Sequence, residues 1–158
     1  MIKRAPSHQG EGIIVPDRSA YATAREYNAA YVEEYRANRG EVTGPMAGRS
    51  TLILTTTGAR SGVAHVSPLV YTKDGDNFVV SGANGGSDKH PDWYHNLLAQ
   101  PRAHVEVGAD SFDIVAREAD GAERERLHER RVEQSPTYAE NINKTTRRIP
   151  LMILERSD

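Results

Sequence analysis

Cysteine is absent from the 158-residue sequence. Its absence excludes disulfide bonds, thiolate metal sites, iron–sulfur ligation and cysteine nucleophiles, and it suits a reducing compartment. Tryptophan occurs only once, as Trp93. The six histidines include no pair with the HxH or HxxxH spacing of metal ligands, so we predict no metal site.

Long apolar runs are also missing. No segment approaches the roughly 20 apolar residues that cross a bilayer. The two basic residues near the N-terminus are not followed by the apolar stretch of a signal peptide. We therefore expect a cytoplasmic protein. Peripheral contact with the inner face of the cell membrane through residues 19–38 stays open, although Glu26, Glu33 and Glu34 disfavour strong binding to anionic lipid.

Neither sign of charge is in large excess. Lysine and arginine number 20 against 22 acidic residues, giving a net charge of −2 and an isoelectric point near 6.3. We expect no nucleic-acid partner because no overall basic field exists. The length suits one domain, which we assign to residues 19–158. Residues 1–18 are rich in glycine, proline and charge, and we predict a flexible segment there.

The apolar pattern alternates over short runs separated by turn residues, which is typical of hairpin-linked strands. We predict a mainly β domain with peripheral helices, arranged as an antiparallel barrel rather than a doubly wound sheet. Pro68 predicts an edge strand or a bulge, because proline has no N–H to donate. The predicted strands span residues 51–57, 63–72, 78–81, 104–107, 111–116 and 151–154.

The first predicted helix runs from a cap at Ser19 to about Asn38. Tyr21, Tyr31 and Tyr35 share one of its faces, which indicates a helix packed against the domain.

Two further helices are predicted, at residues 90–100 and 120–134. Pro91 suits the first helical position of the former. Asp120 and Glu123 resemble a capping box at the start of the latter. The apolar face of the latter is thin, with Leu127 and Val132, so it should lie at the surface.

Two loops have the chemistry of an anion site. Residues 81–93 leave a strand, pass through glycines and Lys89, and enter a helix, so that backbone N–H groups can approach a ligand. Residues 55–62 (TTTGARSG) add hydroxyls and the guanidinium of Arg60. The residues alone leave open that both are ordinary exposed loops. The segment SGANGG does not have the GxGxxG order of a dinucleotide-binding loop.

Taken together, TTTGARSG, the SPL of residues 67–69 and ANGGSDKHPDWYHNL (83–97) resemble the deazaflavin-dependent nitroreductase family. The resemblance covers about Ser50 to Pro150. It implies a split β-barrel similar to the FMN-binding split barrels, and it implies binding of reduced coenzyme F420. The implied reaction is hydride transfer to an electron-poor organic substrate, namely a quinone, an enone or a nitro compound.

The resemblance also implies which residues meet the coenzyme. Arg60 and Ser61 match positions that hold its phosphate or oligoglutamate tail, and His65 stands where the family commonly has a basic residue. Ser67 to Val70 match the strand that lines the ring. The full predicted cofactor-binding set is Ala59, Arg60, Ser61, His65, Val66, Ser67, Pro68, Leu69, Val70, Ser81, Gly82, Ala83, Asn84, Gly85, Gly86, Trp93, Tyr94 and Asn96.

The sequence departs from the family pattern where a cation is often found. Ala59 and Asn84 occupy such positions, and their neutrality should either weaken tail binding or shift it to Lys89 and Arg102. The substrate side is tyrosine-rich in nitroimidazole-reducing members, and Tyr138 alone remains here as substrate contact or proton donor. This departure argues against nitro-prodrug reduction, even if hydride transfer is kept.

Two alternatives to an F420-dependent enzyme stay open. One is a non-catalytic carrier of lipid or quinone, which would not need Arg60 or the pair Gly85 and Gly86. The other is an FMN-dependent oxidoreductase of the wider split-barrel group. The oligomeric state also stays open between monomer and homodimer.

Overall fold

The computed structural model describes residues 24–157. This part of the chain forms six strands and four α-helices, with two short 3-10 turns at Gly44–Met46 and Asn84–Gly86. In chain order the elements are α1 (Ala24–Ala37), β1 (Thr51–Thr57), β2 (Ala64–Asp74), β3 (Asn77–Ser81), α2 (Asp92–Ala99), β4 (Arg102–Val107), β5 (Asp110–Glu118), α3 (Gly121–Gln134), α4 (Pro136–Asn141) and β6 (Leu151–Arg156).

The strands close into a barrel in the order β1-β2-β3-β6-β5-β4, with antiparallel pairing at every junction. Alternate residues point inward, as the period of a strand requires. Leu52, Leu54, Val105 and Ile114 are fully buried in the cluster that fills the barrel. This outcome confirms the predicted mainly β, barrel-type fold.

Helix α1 covers one part of the outside of the barrel. The tyrosine face of α1 packs on Ile53, with Tyr31 and Tyr35 buried. Tyr35 also donates a hydrogen bond from its hydroxyl to the carbonyl of Thr51 (2.9 Å). The predicted packing of this helix is therefore confirmed for its described part. Ser19, Tyr21 and the flexible segment predicted at residues 1–18 lie outside the described residues.

Strand β2 is shared between two neighbours and leaves part of one edge open. Its first half, Ala64–Val70, pairs with β1, whereas its second half, from Tyr71, pairs with β3. Among the described residues, the first half therefore has a strand partner on one side only. Pro68 lies in this half opposite Ile53, as expected of a residue that cannot donate to a second strand.

The structure corrects several details of the sequence-based helix assignment. Pro91 is the N-cap of α2 rather than its first helical residue. Asp120 makes no side-chain capping bond at the start of α3. Glu123 instead accepts two hydrogen bonds from the guanidinium of Arg117 (2.7 and 3.0 Å). A fully formed ion pair on the neighbouring strand is the better partner for this carboxylate than one backbone N–H.

The face that α3 presents to the barrel also differs from the prediction. Leu127 is buried as expected, but Val132 is 36% exposed. Arg131 is only 4% exposed and occupies the position at the barrel wall. Helix α4 was not predicted. None of the described helices combines the length and apolar character that a bilayer-spanning helix needs.

Candidate functional site

Three adjoining cavities form one cleft along the open edge of β2. The central cavity (970 Å³) lies between α1, the start of β2 and residues 84–93. The strand cavity (430 Å³) follows β2 towards α4, and the loop cavity (570 Å³) lies between residues 58–61 and α2. Ser67 and Trp93 line both the central and strand cavities, while His65 lines both the central and loop cavities.

The cleft brings together the two loops that the sequence singled out. Residues 58–61 lie at one end, and Ser81 and residues 83–85 lie on the wall beside β2. The predicted cofactor-binding residues that line the cleft are Ala59, Arg60, Ser61, His65, Val66, Ser67, Pro68, Leu69, Val70, Ser81, Ala83, Asn84, Gly85, Trp93 and Asn96.

Gly82, Gly86 and Tyr94 are the predicted residues that do not line the cleft. Tyr94 packs in the barrel-filling cluster, and its hydroxyl donates to Glu118 Oε1 at 2.7 Å. Burial, reinforced by Glu118, raises the pKa of Tyr94 to about 12. The glycines lie behind the cleft, where a Cβ on Gly82 would come within 2.7 Å of Pro150 Cγ.

Asn96 fixes the loop at residues 58–61 to α2. This buried side chain accepts a hydrogen bond from the N–H of Ala59 (2.9 Å) and donates one to Thr56 Oγ1 (3.1 Å). The loop therefore has a defined conformation, because its backbone is held from inside the domain. Arg60 is exposed at its tip and has no ion-pair partner among the described residues.

Residues 84–86 form a tight turn on the opposite wall. Asn84, Gly85 and Gly86 all have φ in the left-handed region, at 49°, 66° and 88°. Asn84 donates from its side-chain amide to the carbonyl of Lys89 (3.0 Å), which supports a conformation that non-glycine residues rarely adopt. Lys89 itself is exposed and lines the central cavity.

Arg147 was missed by the sequence analysis, although it contacts the glycine-rich loop most extensively. It approaches from a segment about 60 residues away along the chain, so no local pattern could have indicated it. Its guanidinium donates to the carbonyls of Gly82, Ala83 and Ser87 and contacts the ring of His90. The pKa of His90 is lowered by burial and by the positive charge of Arg147, so the ring is neutral at pH 7.

Arg131 lies on α3, the helix that the sequence analysis placed at the surface, yet its side chain is buried. It donates from Nη2 to the carbonyl of Val70 and from Nη1 to that of Val79, both at 2.9 Å. Burial lowers its pKa to about 10, which still leaves it protonated at neutral pH. The positively charged guanidinium of Arg131 therefore lies where β2 and β3 separate.

Tyr138 lines the strand cavity but is only 3% exposed. Its hydroxyl lies 2.7 Å from His128 Nδ1 on α3, and burial raises its pKa. Its ring packs beside the Arg131 guanidinium, 5.6 Å from the ring centre. This surrounding favours a packing role, and the proton-donor role stays a prediction.

The cleft carries more positive than negative charge. Asp92 is the only carboxylate among its described lining residues. The cations of the lining are Arg25, Arg36, Arg49, Arg60 and Lys89. Arg36 is paired with Glu106 (2.7 Å). Arg102, which the sequence analysis suggested as a substitute tail contact, does not line this cleft but a separate cavity beside His104 and Asp113.

A family model describing F420H(2)-dependent quinone reductases matches residues 27–156 of the chain. The chain belongs to this family. An F420H(2)-dependent quinone reductase of Mycobacterium tuberculosis is 31% identical over 126 residues, covering 77% of this chain and 85% of that protein. A related protein of Mycobacterium bovis, also named for this activity, matches to the same extent.

Solved structures agree with this assignment. An F420-H2 dependent reductase is 40% identical, with a TM-score of 0.62, and the match covers 68% of this chain and 95% of that one. A structure described as a domain-swapped dimer matches with the same identity and TM-score and covers 81% of that chain. The split-barrel fold implied by the sequence resemblance is thus confirmed.

Membership of this F420H(2)-dependent reductase family decides between the alternatives left open by the sequence. The protein is an oxidoreductase that depends on reduced coenzyme F420, as the resemblance implied. Neither FMN nor a non-catalytic carrier function is needed to account for its chemistry. Among the described residues, no group of three His, Asp or Glu side chains is arranged to hold a metal ion.

Proposed function

We propose that this enzyme reduces a quinone in the cleft along β2, using coenzyme F420 bound by the residues identified from the sequence. The observation that carries the proposal is the meeting, in one cleft, of an open strand edge and a cation-bearing loop. A flat ring needs an extended backbone wall, whereas a phosphate and oligoglutamate tail needs exposed cations and hydroxyls. The strand cavity offers the extended backbone wall, and the loop cavity offers the cations and hydroxyls.

The loop cavity is suited to the anionic end of the coenzyme. Arg60 is exposed and has no carboxylate partner among the described residues, and Ser61 and His65 lie beside it in the cavity lining. Lys89 adds a further cation in the adjoining central cavity. Ala59 contributes no charge, but its backbone is fixed by Asn96, which keeps Arg60 on the rim of the cavity.

The strand cavity is suited to the ring. Its walls are Ser67–Val70 of β2 on one side and Ser81, Ala83 and Asn84 on the other, with Trp93 between the two. When bound there, the reduced coenzyme supplies a hydride, which together with one proton converts a quinone to a hydroquinone. The contribution of these residues is to hold both reactants in contact and to exclude water from one face.

The proton has two candidate sources, solvent and Tyr138. Solvent is the favoured source, because the Tyr138 hydroxyl is buried and already hydrogen-bonded to His128. Enones and nitro compounds are further electron-poor acceptors for the same cleft. The loss of the other substrate-side tyrosines argues for quinones ahead of nitro compounds.

A titration tests the proposal. F420 is added to the purified protein while Trp93 fluorescence is followed, because Trp93 is the single tryptophan and lines two of the three cavities. FMN is titrated in parallel. Saturable quenching by F420 alone, followed by oxidation of reduced F420 on addition of a quinone, is the expected result. No quenching by F420 would overturn the assignment of the cleft.

Location and assembly are proposed at a coarser level. We expect a cytoplasmic enzyme, and peripheral contact with the inner face of the cell membrane stays a prediction that cell fractionation can test. The match to a domain-swapped dimer makes a homodimer worth testing against a monomer, by light scattering of the purified protein.

A further inference from the structure

The glycine-rich wall of the cleft lies against a segment that the proposed chemistry does not use. Residues 82–90 pack on residues 141–150, the segment that begins at the last residue of α4. The N–H of Gly82 donates to the carbonyl of Pro150 (2.8 Å), and Thr145 Oγ1 donates to Asp88 Oδ1 (2.9 Å). A Cβ on Gly86 would lie 2.7 Å from the Lys144 side chain. The second segment therefore supports the first along its whole length.

Arg147 lies at the centre of this contact. Its Nη2 donates to the carbonyls of Gly82 (3.0 Å) and Ala83 (2.9 Å), and its Nε donates to the carbonyl of Ser87 (2.9 Å). Its Nη1 lies 2.8 Å from His90 Nδ1. One planar guanidinium thus contacts residues on both sides of the tight turn at residues 84–86. The His90 contact also fixes the tautomer, because a ring nitrogen that accepts from a guanidinium must be unprotonated.

The hydrogen bonds of Arg147 indicate a structural role rather than direct ligand binding. A guanidinium has five N–H donors, and the contacts above use four of them. All four acceptors are neutral, and Arg147 forms no ion pair with a carboxylate among the described residues. Its donors are therefore committed to the protein, although its charge is not neutralised.

The backbone of this wall needs outside support. Three successive residues, Asn84 to Gly86, have φ in the left-handed region, and Asn84 is the one among them that carries a Cβ. Glycine adopts this region without strain, but a residue with a Cβ, such as Asn84, keeps it only where the surroundings hold it there. Among the described residues, the carbonyls of Gly82 and Ser87 accept hydrogen bonds from Arg147 alone, whereas the carbonyl of Ala83 also accepts one from the N–H of Gly86 (2.9 Å). The fork of Arg147 donates to all three carbonyls.

We propose that Arg147 is a positioning residue for coenzyme binding: it holds the backbone of residues 82–90 in the conformation that forms the cleft wall. The inference rests on the proposed function, because it takes this wall to contact the coenzyme. It assigns to a residue outside the cleft lining a role that Lys cannot fill. An ammonium carries the same charge but lacks the planar fork that spans several carbonyls.

Three variants test the proposal. Arg147→Lys keeps the charge without the fork, and Arg147→Gln removes both. Arg148→Gln is the matched control, because Arg148 is the exposed neighbour and no hydrogen bond involves its side chain among the described residues. For each variant the Kd for F420 is measured by Trp93 quenching, and amide hydrogen exchange is followed by mass spectrometry in residues 82–90 and in the barrel strands.

Both Arg147 variants are expected to raise the Kd about tenfold or more and to speed exchange within residues 82–90, while exchange in the barrel strands stays unchanged. Arg148→Gln is expected to resemble the wild type. Wild-type affinity in Arg147→Lys would overturn the proposal, since charge would then suffice. Unchanged exchange in both Arg147 variants would also overturn it.

Failure of the proposed function gives a different pattern. If the wild type itself does not bind F420, the coenzyme assignment of the cleft falls, and the role of Arg147 in coenzyme binding falls with it. If the wild type and both Arg147 variants bind equally well, only the inference about Arg147 is lost.

Discussion

Arg131 Nη2 donates to the carbonyl of Val70 at 2.9 Å, at the residue where β2 ceases to pair with β3. The same guanidinium donates to the carbonyl of Val79 on β3, also at 2.9 Å. A helix side chain thus satisfies both strands where their own ladder stops. The buried cation therefore stabilises the place where the two strands separate, because it donates to a carbonyl of each strand.

Removing this cation should destabilise the barrel. We expect Arg131→Met to lower the free energy of unfolding by at least about 2 kcal/mol, because it removes the guanidinium donors from one buried and one partly buried carbonyl. Urea denaturation measures the change. Arg130→Met is the control, since Arg130 is the adjacent and largely exposed arginine, whose distance to Asp74 is 3.9 Å. Equal stability of both variants would contradict the role given to Arg131.

The exposed arginine of the loop cavity should bind the anionic end of the coenzyme. We expect Arg60→Gln to raise the Kd for F420 about tenfold and to weaken its dependence on salt, because one charge-assisted contact is lost. Arg102→Gln provides the matched control, because Arg102 lines a separate cavity. A larger loss of affinity in Arg102→Gln than in Arg60→Gln would place the tail elsewhere.

Tyr138 should prove dispensable for proton transfer. Its hydroxyl is 2.7 Å from His128 Nδ1 inside a buried cluster. We expect Tyr138→Phe to change kcat for quinone reduction by less than about twofold and to cost about 1 kcal/mol of stability, the usual value of one lost hydrogen bond. A fall in kcat of more than about tenfold at unchanged stability would instead support the proton-donor role.

Alkaline unfolding should depend on Tyr94. Burial and Glu118 raise its pKa to about 12, above the usual value of 10.0. A group whose pKa is raised by folding stabilises the protein fully below its unfolded pKa, and this contribution is lost as the pH rises from about 10 to about 12. Tyr94→Phe should therefore flatten the loss of unfolding free energy over this range, measured with urea at several pH values. An unchanged slope would mean that Tyr94 ionises normally.

Much of the fold followed from local pattern. Alternating apolar residues indicated the strands, although most proved a few residues longer, because pairing continues beyond the apolar core of a strand. Pro68 correctly marked an edge, since a missing N–H is a property of the residue itself. Helix α4 escaped prediction because its six residues are too short to show a helical period.

Some residues of the cleft could likewise be predicted from the sequence, whereas the orientation of others could not. Arg60, Ser61 and the glycine-rich turn carried a motif that the sequence displayed directly. The family resemblance assigned Tyr94 to the cleft together with Trp93, but successive residues of a helix point in different directions, and Tyr94 faces the barrel core. Adjacency along the chain could not decide which of the two would line a cavity.

The sequence by itself determined the strands, the turns, the reducing chemistry implied by the family motifs and the absence of thiol sites. Only the tertiary structure decided that two distant loops share one cleft, and that Arg131 and Arg147 serve the backbone rather than solvent. The physical reason is that the sequence around an arginine does not show which distant groups it will meet, and barrel closure brings backbone carbonyls some 50 to 65 residues away in the chain within reach of its guanidinium.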